Sequence, residues 1–326
     1  MATTNSVKEP MRAVMRTVSA LLGFFGTLVA SHAVSAMCPA VGAAVQVLGS
    51  GGPMHGGGRG SSAYLFWYNA EPLFVLDMGG DTPTALSRAG VRSGSIAALL
   101  ISHVHPDHVA GLPEYLWGEI TAERNIPLSV IGPPAGDRFL DAQALFSRLF
   151  GPDGAFPDMQ NLIVGSPFPL QFTTVQGPGP PVFERRGFQV TAMRVDHGRA
   201  PALAFRIDGH GLRVVFAGDQ RGVDPDFASF ATGADLLVLH AMATEAIKHD
   251  SLARAIAAPS DLGLLATRAR AKAVVLSHLM QSSENSAEAT IWSLSDLPAV
   301  VAAVRGKYQG PVQIASDLQC FDLRSN

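Results

Sequence analysis

Leu100-Ile-Ser-His-Val-His-Pro-Asp-His-Val-Ala-Gly111 is the stretch around which the rest of the chain is organised. The apolar run 96–101 leads into it and predicts a buried strand, so the polar side chains that follow leave a sheet together at a tight turn. Imidazole nitrogens and carboxylates are the ligands that borderline cations such as Zn²⁺ prefer. The turn therefore predicts part of a metal site, with four candidate ligands: His103, His105, Asp107 and His108.

Other histidines and aspartates also follow apolar runs that predict strands. The runs 188–195, 212–217 and 273–276 lead into His197, Asp219 and His278. Loops at strand ends on a rigid scaffold are where sites are built. We therefore predict two metal ions and seven ligands from both halves of the chain: His103, His105, Asp107, His108, His197, Asp219 and His278.

The spacing of these residues suggests how two ions would be shared. His103 and His105 are separated by one residue on an extended segment and can face the same way. Asp107 and His108 lie beyond the bend at Pro106 and can address a second ion. Asp219 has two carboxylate oxygens and can bridge both. The pocket walls are expected from residues 53–60, 112–120, 150–181 and 280–296, with His55 at the rim.

Composition limits the function classes. The 326-residue chain is 47% hydrophobic, which is enough for a sizeable core. Its formal net charge is −3, and no basic stretch indicates a surface for a polyanion. We therefore expect a small-molecule substrate and no nucleic-acid partner, and the oligomeric state is left open, with a homodimer as one alternative.

The N-terminus predicts a signal peptide over residues 1–36, followed by one domain over 37–326. Three basic residues precede an uncharged run at 18–30 that is too short to span a bilayer comfortably, and small residues suited to cleavage follow at 31–36. Removal of 1–36 takes away three positive charges and one negative, so the net charge becomes −3 − 2 = −5. We expect export to the periplasm or beyond, with no membrane anchor after cleavage; the alternative is an uncleaved anchor.

The chain has two cysteines, Cys38 and Cys320, at opposite ends of the expected mature protein. An exported protein folds in an oxidising compartment, so we expect a disulfide between them. The alternative is a pair of buried free thiols.

His103-x-His105-x-Asp107-His108 resembles the signature of the metallo-β-lactamase superfamily. The order Asp77, the histidine turn, His197, Asp219, His278 is similar to the order of that family's motifs across residues 43–320. The resemblance implies an αββα sandwich of two mixed β-sheets with helices on the outer faces, and a two-metal site that usually holds zinc. It disfavours β-lactam hydrolysis, because β-lactamases of this fold usually carry cysteine where Asp219 stands.

Within the superfamily the chain resembles the branch of ribonuclease Z and its arylsulfatase-like relatives. The stretches 196–207, 218–219 and 235–240 carry this likeness. Ribonuclease Z has His-Glu-Ala-Thr where this chain has His240-Ala-Met-Ala-Thr244, and its long basic arm for transfer RNA is not evident. Export would also separate the protein from precursor transfer RNA. These departures favour the arylsulfatase-like relatives, so we expect an aryl sulfate ester as the substrate.

The expected chemistry is ester hydrolysis by metal-activated water. Asp107 and Asp219 would hold and orient the water, and His240 or His249 would protonate the leaving group. Asp77 would orient a ligand histidine from behind. A phosphodiesterase or lactonase on the same site, and a metal-binding protein without catalysis, are the alternatives.

Overall fold

Two β-sheets carry the apolar runs of the chain. The computed structural model describes residues 38–54, 56–165, 168–281 and 290–323. The strands of the first sheet are β1 Ala43–Gly49, β2 Ala63–Tyr68, β3 Glu71–Leu76, β4 Ala98–Leu100, β5 Leu128–Gly132, β6 Leu170–Thr174 and β14 Cys320–Asp322. Those of the second are β7 Phe183–Arg185, β8 Phe188–His197, β9 Ala200–Gly209, β10 Leu212–Phe216, β11 Leu236–His240, β12 Val274–Ser277 and β13 Val312–Ile314.

The two sheets share one topology. The first has the order β14-β1-β2-β3-β4-β5-β6, with antiparallel pairs from β14 to β3 and parallel pairs from β3 to β6. The second has the order β13-β12-β11-β10-β9-β8-β7, parallel from β13 to β10 and antiparallel from β10 to β7. Both sheets are therefore mixed, as predicted.

Helices cover the outer face of each sheet. The first sheet packs against α1 Thr82–Arg88, α2 Pro106–Val109, α3 Leu112–Thr121 and α4 Ala142–Phe150. The second packs against α5 Pro225–Phe230, α6 Pro259–Arg268 and α7 Leu297–Arg305. Short 3-10 helices occur at Gly56–Gly58, Pro157–Leu162, Glu245–His249, Ser251–Arg254 and Ser293–Ser295. The predicted αββα layering is confirmed.

The inner faces of the sheets form a common core. Phe66 of the first sheet stacks on its neighbour Phe74, with ring centroids 5.0 Å apart, and meets Phe188 of the second sheet edge-on at 4.9 Å. Burying a phenylalanine contributes about 1.5–3 kcal/mol, so such contacts hold the sheets face to face. The strand ends of both sheets are thereby fixed along one edge, where the candidate ligands lie.

Cys38 and Cys320 form a disulfide with Cα atoms 5.5 Å apart, as predicted. The bond ties the segment before β1 to β14, which pairs with β1 in the first sheet. No helix in the described part of the chain is long and apolar enough to cross a membrane. The predicted signal peptide and His55 lie outside the described residues, so the signal peptide, export and the division at residue 36 stay predictions.

Candidate metal centre

The histidine turn leaves the first sheet directly after β4. His105 is extended and stands at the N-cap of α2, and Pro106 opens the helix. Proline suits this place because the first helical position needs no N–H donor. The bend separates His103 and His105 from Asp107 and His108, which lie in the helix. The two pairs thus lie on either side of the bend at Pro106, and their assignment to different ions stays a prediction.

The second sheet contributes donors from three separate strand ends. His197 is the last residue of β8, Asp219 follows β10, and His278 follows β12. Gly218 adopts φ +63°, and a Cβ there would lie 2.6 Å from the Leu203 carbonyl oxygen, so only glycine fits before Asp219. His278 itself adopts φ +55°, a left-handed conformation that costs a non-glycine residue on the order of 1–2 kcal/mol.

Three histidines converge in what we call the first donor group: His103, His105 and His197. The Nδ1 atom of His105 lies 2.8 Å from His103 Nε2 and 3.4 Å from His197 Nε2. The group opens toward the surface, since His105 is half-buried.

Asp107, His108 and His278 converge in what we call the second donor group. Asp107 Oδ2 lies 3.3 Å from His108 Nε2 and 3.2 Å from His278 Nε2. The two histidine nitrogens are 3.1 Å apart. Both histidines are fully buried, so this group is the inner one.

Asp219 stands between the two groups. Its Oδ2 atom lies 3.7 Å from His103 Nε2, 3.5 Å from His197 Nε2 and 3.6 Å from His108 Nε2. Its Oδ1 atom lies 3.5 Å from His278 Nε2. One buried carboxylate therefore faces donors of both groups, and the bridging of two ions by Asp219 stays a prediction. The structure brings together all seven residues predicted as ligands.

Asp77 supports the inner side of the site, where it was expected to orient a ligand. Its Oδ2 atom accepts hydrogen bonds from His108 Nδ1 at 2.7 Å and from the Ser102 hydroxyl at 2.8 Å. Its Oδ1 atom accepts the Ser102 backbone N–H. On the outer side, His197 Nδ1 donates to the Ala255 carbonyl oxygen at 2.8 Å. These bonds fix which nitrogen of His108 and of His197 faces the centre.

His240 lies behind Asp219, and its two ring nitrogens are both engaged. Nδ1 is 2.6 Å from Asp219 Oδ1, and Nε2 is 2.9 Å from the Tyr64 hydroxyl of the first sheet. His240 is buried and does not line the cavity, and His249 is exposed and does not line it either. The geometry favours a positioning role for His240, and a general-acid role for either histidine stays a prediction.

Burial and neighbouring charges shift the pKa values of the candidate ligands. Burial, together with neighbouring His108, lowers the pKa of His103 well below its usual value, so that ring is neutral and can donate a lone pair. Burial alone would raise the pKa of Asp219, but His278 and His108 outweigh it and hold that pKa well below the ordinary range. Burial would lower the pKa of His108, but Asp77 and Asp219 raise it well above the usual value. The carboxylates thus favour positive charge at the centre.

The residues fit a pair of divalent cations. Two nitrogens bound to one tetrahedral zinc ion lie about 2.0–2.1 Å from it and hence about 3.3 Å from each other. The nitrogen contacts of 3.1 and 3.4 Å are of this size, and that of 2.8 Å is shorter. The buried Oδ2 atom of Asp107 has no hydrogen bond of adequate geometry. Within the described residues, no lysine or arginine pairs with Asp107 or Asp219. The donor set is therefore compatible with a binuclear metal site.

A cavity of about 490 Å³ opens onto both donor groups. His105, Asp107, His197, Asp219 and His278 line its floor. Its sides are formed by Pro53 and Met54, by Phe139, by residues 198–200, and by loops that include Met242, Ile256, Met280 and Trp292. Of the stretches predicted as walls, 53–60 and 280–296 contribute. The prediction is wrong for 112–120 and for the described residues of 150–181, none of which lines the cavity: α3 packs on the outer face of the first sheet, and β6 is an edge strand of that sheet.

Known proteins resemble this chain in sequence and in fold. A family model described as the β-lactamase superfamily domain matches residues 75–279. Ribonuclease Z of Mycobacterium bovis is 29% identical over 198 residues, which cover 60% of this chain and 68% of that protein. Ribonuclease Z of Mycolicibacterium gilvum is 29% identical over 201 residues, covering 60% and 67%.

Two solved structures share the fold. The metallo-β-lactamase fold protein YhfI of Bacillus subtilis has a TM-score of 0.64 at 20% identity, covering 86% of this chain and 99% of its own. The short form of human tRNase Z has a TM-score of 0.63 at 21% identity, covering 86% and 100%. At this level of identity the likeness supports the fold.

These relatives correct two expectations. An aryl sulfate ester was expected as the substrate, and nucleic acid was not expected as a partner; both are wrong, because the curated relatives are named ribonuclease Z. The missing acid at Ala241 is one side chain, and it does not outweigh similarity over 198 residues. Net charge was also a poor guide, because a whole-chain sum says nothing about a site built to hold cations of its own.

Proposed function

The chain belongs to the metallo-β-lactamase superfamily, in its ribonuclease Z branch, and from this we propose that it is a two-metal phosphodiesterase acting on RNA. The observation that carries the proposal is Asp219, a single buried carboxylate that faces donors of both groups. Phosphodiester hydrolysis suits such a site, because two adjacent cations can act on the attacking and the leaving oxygen of one phosphate. RNA is supported by the names of the curated relatives.

We propose that His103, His105 and His197 hold one ion, that Asp107, His108 and His278 hold the other, and that Asp219 is shared. Nitrogen and oxygen donors of this kind suit zinc. Bound ions would supply Lewis acidity and a water ionised near neutral pH. Asp107 and Asp219 would orient that water, while Asp77 keeps the His108 ring in place through its Nδ1–H bond. His240 would hold Asp219 through the 2.6 Å contact.

The test uses purified full-length protein assayed with a transfer RNA transcript, a single-stranded RNA and bis(p-nitrophenyl) phosphate. We expect about two zinc ions per chain and cleavage that ends on chelation and returns with zinc. The matched control is His210→Ala, which removes an exposed histidine at the turn between β9 and β10, outside the cavity, and should leave cleavage unchanged. Zinc-loaded protein that cleaves no phosphodiester would contradict the proposal, and so would full activity in metal-free protein.

We also propose export after cleavage of residues 1–36, so that the RNA substrate would be one met outside the cytoplasm. The basic and apolar pattern of that segment supports it, and so does the disulfide, because such bonds persist in oxidising compartments. Determining the N-terminal residue of protein recovered from outside the cytoplasm checks the proposal. Protein that keeps Met1, or protein confined to the cytoplasm, would contradict it.

A further inference from the structure

One side of the cavity over the metal centre is apolar. We call it the apolar wall and define it by Met54, Met242, Ile256, Met280 and Trp292, which all line the cavity. They belong to a hydrophobic cluster separate from the cores of the two sheets. Met242, Ile256 and Met280 are 4%, 7% and 4% exposed, so the wall is firmly packed, while Met54 and Trp292 are half-buried.

Hydrogen bonds join the backbone segments that carry Met242, Met280 and Trp292. Met242 and Met280 each lie two residues beyond a strand-end histidine, His240 and His278. The segment around Trp292 is bound to both loops: Ser293 N–H donates to the Met242 carbonyl, and Leu294 N–H donates to the Met280 carbonyl. The Met280 N–H in turn donates to the Ser293 hydroxyl. The wall is therefore a fixed surface, attached to the same strands that position the site.

The cavity has few positively charged side chains with which to bind an extended polyanion. Arg199 is the one cationic side chain among the described residues that line it, and its guanidinium pairs with Asp137. Proteins that grip a nucleic-acid backbone use several lysines and arginines along its path. Proteins that hold single-stranded bases use aromatic side chains, and methionine sulfur also makes favourable contacts with aromatic rings. The wall combines one tryptophan with three methionines.

We infer that the apolar wall binds one flat, uncharged aromatic ring carried beside the scissile phosphate; in an RNA substrate this ring is a single unpaired nucleobase. The inference rests on the proposed phosphodiesterase function and adds to it the part of the substrate that is recognised. Recognition would then come from one ring seated on Trp292 and the methionines, with the phosphate at the donor groups. A small phosphodiester that carries an aryl group would present the same kind of ring to the wall.

The experiment compares three phosphodiesters that release the same p-nitrophenolate: thymidine 5′-(p-nitrophenyl) phosphate, phenyl p-nitrophenyl phosphate and methyl p-nitrophenyl phosphate. We expect kcat/KM to favour the two diesters that carry a second ring, on the group that is not released, over the methyl diester, whose one ring leaves as p-nitrophenolate. Trp292→Ala should reduce that advantage about tenfold, the effect of removing one stacking partner, and Trp292→Phe should keep most of it. A larger advantage for the thymidine diester indicates a nucleobase, and a larger one for the phenyl diester indicates an aryl group.

The matched control is Trp117→Ala, which removes an exposed tryptophan of α3 outside this cavity and should leave all ratios unchanged. Calorimetry gives a readout without turnover: zinc-loaded protein should bind phenylphosphonate more tightly than methylphosphonate, and Trp292→Ala should remove the difference. Equal hydrolysis of all three diesters, with ratios unchanged in Trp292→Ala, would overturn the inference while leaving the proposed function intact. Failure to hydrolyse any of them would overturn the function, and the phosphonates would still test the wall.

Discussion

Both donor groups line the cavity, but the first reaches nearer to the surface than the second. His105 of the first group is half-buried beside the cavity, and His197 is held by one backbone carbonyl. In the second group His108 and His278 are fully buried, and His108 is held by the carboxylate of Asp77. Because of this difference in burial, we expect the two proposed ions to be bound differently. The inner one would be held by fully buried histidines and by Asp107, and the outer one would lie nearer to the surface, beside the half-buried His105.

The largest effect is expected from Asp219→Ala, because this residue belongs to neither group and faces both. Zinc content should fall below one ion per chain, and kcat/KM should fall on the order of 10³-fold, since a shared metal site contributes several kcal/mol to transition-state stabilisation. Metal analysis and the diester assay measure the two effects. Asp235→Ala is the control, because Asp235 lies at the opposite end of the same sheet and pairs with Lys272. Loss of only one ion would place Asp219 in one group.

Asp77→Asn should weaken zinc binding at the second donor group much more than at the first. The amide would present a donor where His108 Nδ1–H needs an acceptor, so the second group should bind zinc about 10–100-fold more weakly. The first group should keep its affinity, apart from the 3.1 Å contact between Ser102 and His103 that Asp77 helps to orient. Competition with a chromophoric chelator measures both affinities. Equal weakening at both positions would remove the proposed distinction between them.

Tyr64→Phe should give the smallest effect and should weaken zinc binding equally at both donor groups. The change removes the hydroxyl that contacts His240 Nε2, and His240 holds Asp219. A lost hydrogen bond of this kind costs about 0.5–1.5 kcal/mol, so both zinc affinities should fall between about twofold and tenfold. The same competition assay measures this. An effect confined to one group would mean that His240 does not act through the shared carboxylate.

Local sequence was enough to predict the histidine turn. His103, His105, Asp107 and His108 follow one strand, and their direction depends only on the bend at Pro106. His197, Asp219 and His278 could be predicted because each follows a clear apolar strand, and strand ends of a sheet meet at one edge. The αββα layering was predictable from the resemblance of the motif order, and the two sheets confirm it.

Other features depend on contacts that a sequence does not display. The Tyr64 to His240 contact joins the two sheets across 176 residues, so no spacing could reveal it. The five residues of the apolar wall come from separate stretches of the chain, and no sequence periodicity distinguishes them from core residues. Strands β6, β7 and β14 carry little signal in the sequence, because each lies at a sheet edge and has few buried side chains.

Anomalous X-ray diffraction from crystals grown with zinc tests the two-metal centre most directly. We predict two zinc peaks in each molecule, one among His103, His105 and His197 and one among Asp107, His108 and His278, with Asp219 between them. Partial chelation before data collection should weaken the outer peak first. A single peak, or two peaks that do not share Asp219, would contradict the account.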